Sequence, residues 1–442
     1  MASEAPASTG KVLVDPEEGV EIYYELYENL CSDQQQQRDA VAPPPARVLL
    51  IMGVAATCVA WHTQIHALLA RARALGRAIQ VTAYDNRGVG RSGCPKDRRR
   101  YGSATMARDA AALMDALGWR AAHVVGFSMG TQIAAKLASS VAPDRVLSLV
   151  MISTAAGGIH SLPRSLHAMR HSLRVLLART LVARARADLR LHFTKATLHS
   201  VSSSSSLSAA AAAAAALESV GSVEAAGGGA GAAATSVAAA SDASSSGGGG
   251  GGGAQAPLAS SSSAAASAAA APRRRQKEEL IDEYVAHARA MPPQAKHGFH
   301  GHLHTVWHHK LAPEEKAALR AARFPVLFIH GMKDKVAPPA HAQRLSRELG
   351  AGLALLPGAH VVMREAAAQV NALLFDLVFG EPAPGRREVA PIPVHAALYN
   401  SGGGSGGAAV DSAAEAGSGG KGGRVDAGVV AISASGLQAA TP

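Results

Sequence analysis

Cysteine is scarce: three in 442 residues, Cys31, Cys58 and Cys94, odd in number, far apart and without Cys-x-x-Cys spacing. That excludes a disulfide framework and predicts reduced thiols in a reducing compartment. Long apolar runs are missing too. Outside the alanine tracts no uninterrupted stretch reaches bilayer-spanning length, so no membrane span is expected. The first ten residues hold no apolar segment and carry Glu4, unlike a secretory leader, so a cytoplasmic chain is the expectation. Acidic residues are in deficit, 33 against 43 Lys and Arg, for a formal charge of +10. The positive residues gather at Arg98–Arg100, between Arg164 and Arg190, and at Arg273–Arg275, with no nucleic-acid-binding motif around them. They read as solvated helix faces and loops, and no nucleic-acid partner is expected.

Large side chains are nearly absent from two stretches. From about Ser200 to Ala271 the chain is almost all Ser, Ala and Gly, and from about Gly380 it is again Gly-, Ala- and Ser-rich. Such segments cannot bury enough surface to offset chain entropy. Removing them leaves roughly 300 residues, enough for one large domain and a smaller insertion. The expected organisation is a disordered 1–9, a first core part 10–156, an inserted segment 157–323 containing low-complexity 200–272, a second core part 324–379, and a disordered tail 380–442. Deleting about residues 202–267 should leave the core folded.

What is present is strand–helix alternation. Lys11–Val14 and Val20–Tyr27 read as a hairpin across Asp15-Pro16-Glu17-Glu18-Gly19. The continuous apolar runs Arg47–Met52, Ala78–Tyr84, Val146–Ile152 and Phe324–His330 read as strands buried on both faces, as parallel sheets require. Helices are expected over His62–Leu75, from Ser103 (as cap) to Gly118, near Ala340–Leu349 and over Val361–Val378. The pattern predicts an α/β fold with a mostly parallel central sheet flanked by helices. It breaks between Gly157 and Arg323, where a helical cap of roughly 170 residues is inserted between two strands, over the carboxyl ends where ligands bind.

The stretch that carries chemistry is Val124-Val125-Gly126-Phe127-Ser128-Met129-Gly130, followed by a small-residue helix. Gly-x-Ser-x-Gly between a strand and a helix reads as a nucleophile elbow, with Ser128 held in a sharp turn at the sheet edge. A serine nucleophile needs a base, and the base an orienting acid. Asp334, in the loop after the strand ending at His330, and His360, in the loop after Leu353–Leu356, follow Ser128 in that order. Backbone N–H groups of Met129 and Val54 are the expected oxyanion donors. Asp85 reads as a loop organiser paired with Arg87, His330 as structural, and His62 and His123 as surface or packing groups. The run His297, His300, His302, His304, His308, His309 could bind zinc, but no Cys or acidic residue is interleaved; no metal and no cofactor are expected.

The chain resembles the α/β-hydrolase superfamily in its capped, epoxide-hydrolase-like and esterase-like branch. The likeness rests on Tyr84–Ser92, Gly126–Gly130, His330–Asp334 and Pro357–His360, and covers about residues 10–200 and 275–378. More narrowly, Lys296–Gly301 and Trp307–Lys310 are similar to the cap of plant and algal α/β-hydrolases. The resemblance implies Ser128 as nucleophile, Asp334 as acid, His360 as base, and Met129 with Val54 as donors. Its usual His-Gly before the oxyanion loop is Met52-Gly53 here, which changes the loop's support. Serine rather than aspartate at 128 argues against epoxide hydrolysis and dehalogenation. The expectation is hydrolysis of a small-molecule ester or lipid-like substrate. A ligand-binding receptor on the same fold is the alternative, and cofactor-free oxygenase or perhydrolase chemistry is a minor one.

Overall fold

The computed structural model describes residues 4–30, 44–155, 157–158, 165–200, 275–292 and 295–380. Residues 201–272 of the expected insert, 381–442 of the expected tail, and Cys31 lie outside the described residues.

Eight strands form one sheet: β1 (Ser8–Asp15), β2 (Val20–Asn29), β3 (Ala46–Ile51), β4 (Ile79–Tyr84), β5 (Ala122–Phe127), β6 (Val146–Ile152), β7 (Val326–Gly331) and β8 (Gly352–Leu356). Their spatial order is β1-β2-β4-β3-β5-β6-β7-β8. The pairs β1–β2 and β2–β4 are antiparallel and every other pair is parallel. The apolar runs are continuous because both faces are covered. In β3, Val48 and Leu50 face one core and Leu49 and Ile51 the other. On the first face lie α1 (His62–Ala74), through Ile65, Leu68 and Leu69, and the C-terminal α12 (Ala367–Phe379), through Val370, Leu374 and Val378. On the second face lie α2 (Ser103–Ala116), through Met106, Ala110 and Leu113, the elbow helix α3 (Met129–Lys136), through Ile133, and α10 (Pro339–Leu349), through Ala342 and Leu349. Burying a leucine-sized side chain fully contributes about 1.5–3 kcal/mol, so this two-sided layer is the main source of stability.

Between β6 and β7 the chain leaves the sheet, as the break in alternation predicts. It forms α4 (Leu166–Leu177), α5 (Leu181–His192) and α6 (Lys195–His199), then α7 (Gln276–Ala290), α8 (Lys296–His308) and α9 (Pro313–Arg320). Ala185, Leu189, Leu198, Leu280 and Ile281 give this cap a small core of its own. The short α11 (Val362–Glu365) precedes α12.

Several expectations are corrected. The hairpin begins at Ser8, because Ser8 pairs with Leu26 and so extends the ladder beyond the apolar alternation, and Glu4 forms an ion pair with Arg73. Residues 4–9 are therefore anchored. Ser103 does not cap α2. The N-cap is Gly102, and the Ser103 hydroxyl instead meets His309 Nδ1 at 2.9 Å. The expected Val361–Val378 helix is two helices, because Ala366 leaves helical dihedrals at φ −121° and ψ 43°. Asp85 does organise its loop, but not by pairing with Arg87. Its two oxygens accept the backbone N–H of Cys58 (2.8 Å) and of Arg91 (3.0 Å), while Arg87 turns away to Asp109 on α2.

Candidate active site

β5 delivers Ser128 to the sheet's carboxyl edge, and α3 starts one residue later. Ser128 sits at φ 52° and ψ −115°, a conformation costly for a side chain, so the surrounding packing must impose it. The flanking glycines explain how. A Cβ on Gly130 would lie 2.1 Å from the Ile51 carbonyl oxygen, and one on Gly126 2.4 Å from the Gly130 oxygen. Strand and helix thus close to backbone contact, and no larger residue fits either position.

β7 lies beside β6 and β8 beside β7, and the loops that follow these two strands supply Asp334 and His360. His360 Nδ1 lies 2.8 Å from Asp334 Oδ2, and His360 Nε2 lies 3.0 Å from Ser128 Oγ. A carboxylate only accepts, so Nδ1 carries the proton and Nε2 is left to accept the serine hydroxyl. All three are buried, Ser128 at 9% exposure, His360 at 3% and Asp334 at 6%. Burial alone would raise the Asp334 carboxyl, but its electrostatic interaction with His360 and hydrogen bonds from His330 and His360 outweigh it and hold it well below the usual carboxylate range. Its Oδ1 accepts the N–H of Val336 (2.8 Å) and Ala337 (2.9 Å), and His330 Nε2 stands 3.3 Å from Oδ2 while donating to Ala337 O at 2.8 Å. His330 is therefore a brace for the acid. His62 meets Tyr27 and His123 meets Ser148, both away from Ser128.

Met129 opens α3, so its N–H has no partner within the helix and lies at the positive end of the dipole. The Met52–Ala55 loop adjoins it. A Cβ on Gly53 would be 3.1 Å from Ser128 Cβ, so the residue before Val54 packs against the serine. Two contacts support this loop. Asn86 Nδ2 donates to Met52 O at 2.8 Å, and the Ala55 N–H donates to His302 Nδ1 at 3.1 Å. His302 Nε2 donates in turn to the Arg87 carbonyl at 2.7 Å. Only the neutral Nε2–H imidazole can accept at one nitrogen and donate at the other.

Sequence reasoning did not find four of these supports. His302 stands among six histidines of one tract, and its signal was the neighbouring glycines. A Cβ on Gly298 would meet Gly88 O at 2.2 Å and one on Gly301 the Tyr101 ring at 2.5 Å, so α8 lies directly on the 86–101 loop. Ser153, at φ 52°, donates its hydroxyl to the His360 carbonyl at 2.6 Å. Glu365 ties the cap to the histidine loop: it accepts from Ala359 N (2.5 Å), Thr194 N (2.8 Å) and Thr197 Oγ1 (2.6 Å). His192 ends α5 with its ring centroid 5.5 Å from that of His360. Burial pulls the His192 imidazole down, but the Asp188 carboxylate one turn earlier more than offsets this and raises it to about 9. A positive charge is therefore held beside the site at neutral pH. Among the described residues, no cluster of three or more His, Cys, Asp or Glu is placed to hold a metal.

The His302 contact predicts a pH effect. Burial depresses its imidazole to about 4, although the hydrogen bond to Arg87 O raises it somewhat, whereas the unfolded chain titrates near about 6.5. Between these values the unfolded state binds more protons, so stability is full above about pH 6.5 and falls as pH drops toward 4. The loss is at most about 3 kcal/mol. Melting temperatures of the native chain and His302→Gln between about pH 7 and about pH 5 check this. The native slope should be steeper; equal slopes would remove His302 as the cause.

A family model described as the alpha/beta hydrolase fold matches residues 46–367. RutD of Azorhizobium caulinodans, provisionally named a carbamate hydrolase, is 40% identical over 106 residues, which is 24% of this chain and 36% of that protein. The rhodomycin D methylesterase DnrP of Streptomyces peucetius is 38% identical over 111 residues, 25% of this chain and 35% of that one. The matches thus span about a third of the length of these curated relatives, which are bacterial. Among solved structures, a hydrolase from Pseudomonas aeruginosa PA01 aligns with a TM-score of 0.50 at 19% identity, covering 84% of this chain and 99% of its own, a likeness of fold.

Proposed function

Because the chain belongs to the α/β-hydrolase fold family, whose model matches more than half of it, we propose that it hydrolyses carboxylic esters of small or lipid-like molecules through Ser128. The observation that carries this reading is the continuous chain from Ser128 Oγ to His360 Nε2 at 3.0 Å and from His360 Nδ1 to Asp334 at 2.8 Å, with the serine at positive φ. Ser128 Oγ attacks the ester carbonyl as His360 Nε2 takes its proton, and Asp334 steadies the resulting imidazolium. The N–H groups of Met129 and Val54 receive the oxyanion. The tetrahedral intermediate collapses, the ester C–O bond breaks, and the imidazolium protonates the departing alcohol. Water, deprotonated by His360, then attacks the acyl-serine, releasing the acid and restoring the hydroxyl. The named relatives, an esterase and a provisional carbamate hydrolase, both cleave an acyl–heteroatom bond by name. Mass spectrometry of the chain after treatment with a fluorophosphonate tests the reading. One adduct is expected, on the peptide containing Ser128, whereas an adduct elsewhere or none would count against it.

A further inference from the structure

On α4, Leu166, Met169, Leu173 and Leu177 recur at i, i+3, i+7 and i+11, which puts them within one narrow stripe of the helix. They are 84%, 53%, 54% and 69% exposed, while Ala168 and His171 on the opposite side are buried. Single exposed leucines are ordinary, but four in an aligned stripe are not. The same helix packs on α5, which opens with the half-exposed pair Leu181 and Val182.

The charge around the stripe narrows what could cover it. Arg170, Arg174, Arg179, Arg184 and Arg186 are all exposed, and no Asp or Glu occurs from Leu166 to Ala187. A cationic helix with an apolar stripe, too short to span a bilayer, is the pattern of a helix lying in a lipid interface, leucines among the acyl chains and arginines at anionic headgroups. Consistent with lying on rather than crossing, no helix of the described residues is long and apolar enough to span. A nucleic acid would match the arginines but not the leucines.

We propose that the α4–α5 face docks the protein on an anionic lipid surface, with Leu166, Met169, Leu173 and Leu177 inserted and the arginines binding headgroup phosphates. α5 ends at His192, beside His360, so the docked face lies one helix from the candidate site. Docking itself does not depend on Ser128 reacting.

The full chain is sedimented with vesicles of phosphatidylcholine alone and with vesicles containing about 30% phosphatidylglycerol. Binding is expected to the anionic vesicles only, and to weaken at least about tenfold when salt rises from about 0.05 M to about 0.5 M. Leu166→Ser/Leu173→Ser should also weaken it by about tenfold or more, and Arg170→Gln/Arg174→Gln should flatten the salt dependence. Both double variants sit on solvent-facing positions, so their melting temperature and aryl-ester turnover should match the native chain. Three results would overturn the proposal: no binding to anionic vesicles by the native chain, equal binding to neutral ones, or binding untouched by both variants. A native dimer that Leu166→Ser/Leu173→Ser splits would assign the stripe to a second copy instead. Loss of turnover in Ser128→Ala with vesicle binding intact separates this proposal from the ester reading.

Discussion

Ser128→Ala should lose aryl-ester turnover by about 10⁴-fold or more and lose fluorophosphonate labelling entirely. The size follows from the proposed mechanism: without Oγ no acyl-enzyme would form, and His360 would have nothing to deprotonate but distant water. The fold should not suffer. Alanine and serine share the same β-carbon constraint at φ 52°, the Ser128 N–H still donates to Ile152 O at 2.9 Å, and only the bond to His360 is lost. Unfolding free energy should stay within about 1 kcal/mol of native. Turnover retained in the variant would remove Ser128 as nucleophile. A native chain that neither turns over esters nor takes the label, yet melts higher with a bound ligand, would instead support the receptor reading.

Arg87→Met should destabilise the chain by about 3–5 kcal/mol, the largest effect expected from a residue outside the candidate triad. Arg87 is 1% exposed, and its guanidinium bonds Asp109 through Nε at 2.7 Å and Nη2 at 2.5 Å, with Nη1 on the Arg100 carbonyl at 2.7 Å. Removing it leaves the Asp109 carboxylate buried without its counter-charge. The pair need not be net stabilising, since its desolvation roughly offsets its attraction. Arg87→Met/Asp109→Leu should therefore recover much of the loss, and that recovery, read from denaturant midpoints, is the diagnostic outcome. Additive losses in the double variant would mean that packing rather than charge is at stake. The single variant should also lose turnover beyond its share of unfolded chain, because the Arg87 carbonyl holds His302 and His302 holds the Ala55 N–H next to Val54.

The strands, the elbow and the order of Ser128, Asp334 and His360 were legible because each is a local pattern. A β-branched run, a Gly-x-Ser-x-Gly turn and a loop residue after a strand need only a few neighbours to be recognised. Helix ends were less so: Ser103 has the right side chain for a cap, but α2 begins one residue earlier and the hydroxyl finds His309, 206 residues away. The Asp85–Arg87 pairing failed for a like reason. Adjacent opposite charges invite pairing on paper, yet Asp85 is consumed by backbone N–H groups and Arg87 by a helix that no spacing rule connects to it.

Chain order and residue type thus determined the α/β sheet, the place of the insertion and the three residues proposed for catalysis. They did so because periodicity and turn chemistry act over a few residues. The tertiary structure decided what supports the candidate site: His302 against the Met52–Ala55 loop, Glu365 and Ser153 around the His360 backbone, His330 against Asp334, and the Arg87–Asp109 pair. Two of these contacts join residues more than 200 positions apart in sequence. A buried polar group takes whichever partner the packed backbone brings within about 3 Å, and that choice exists only once the chain has folded.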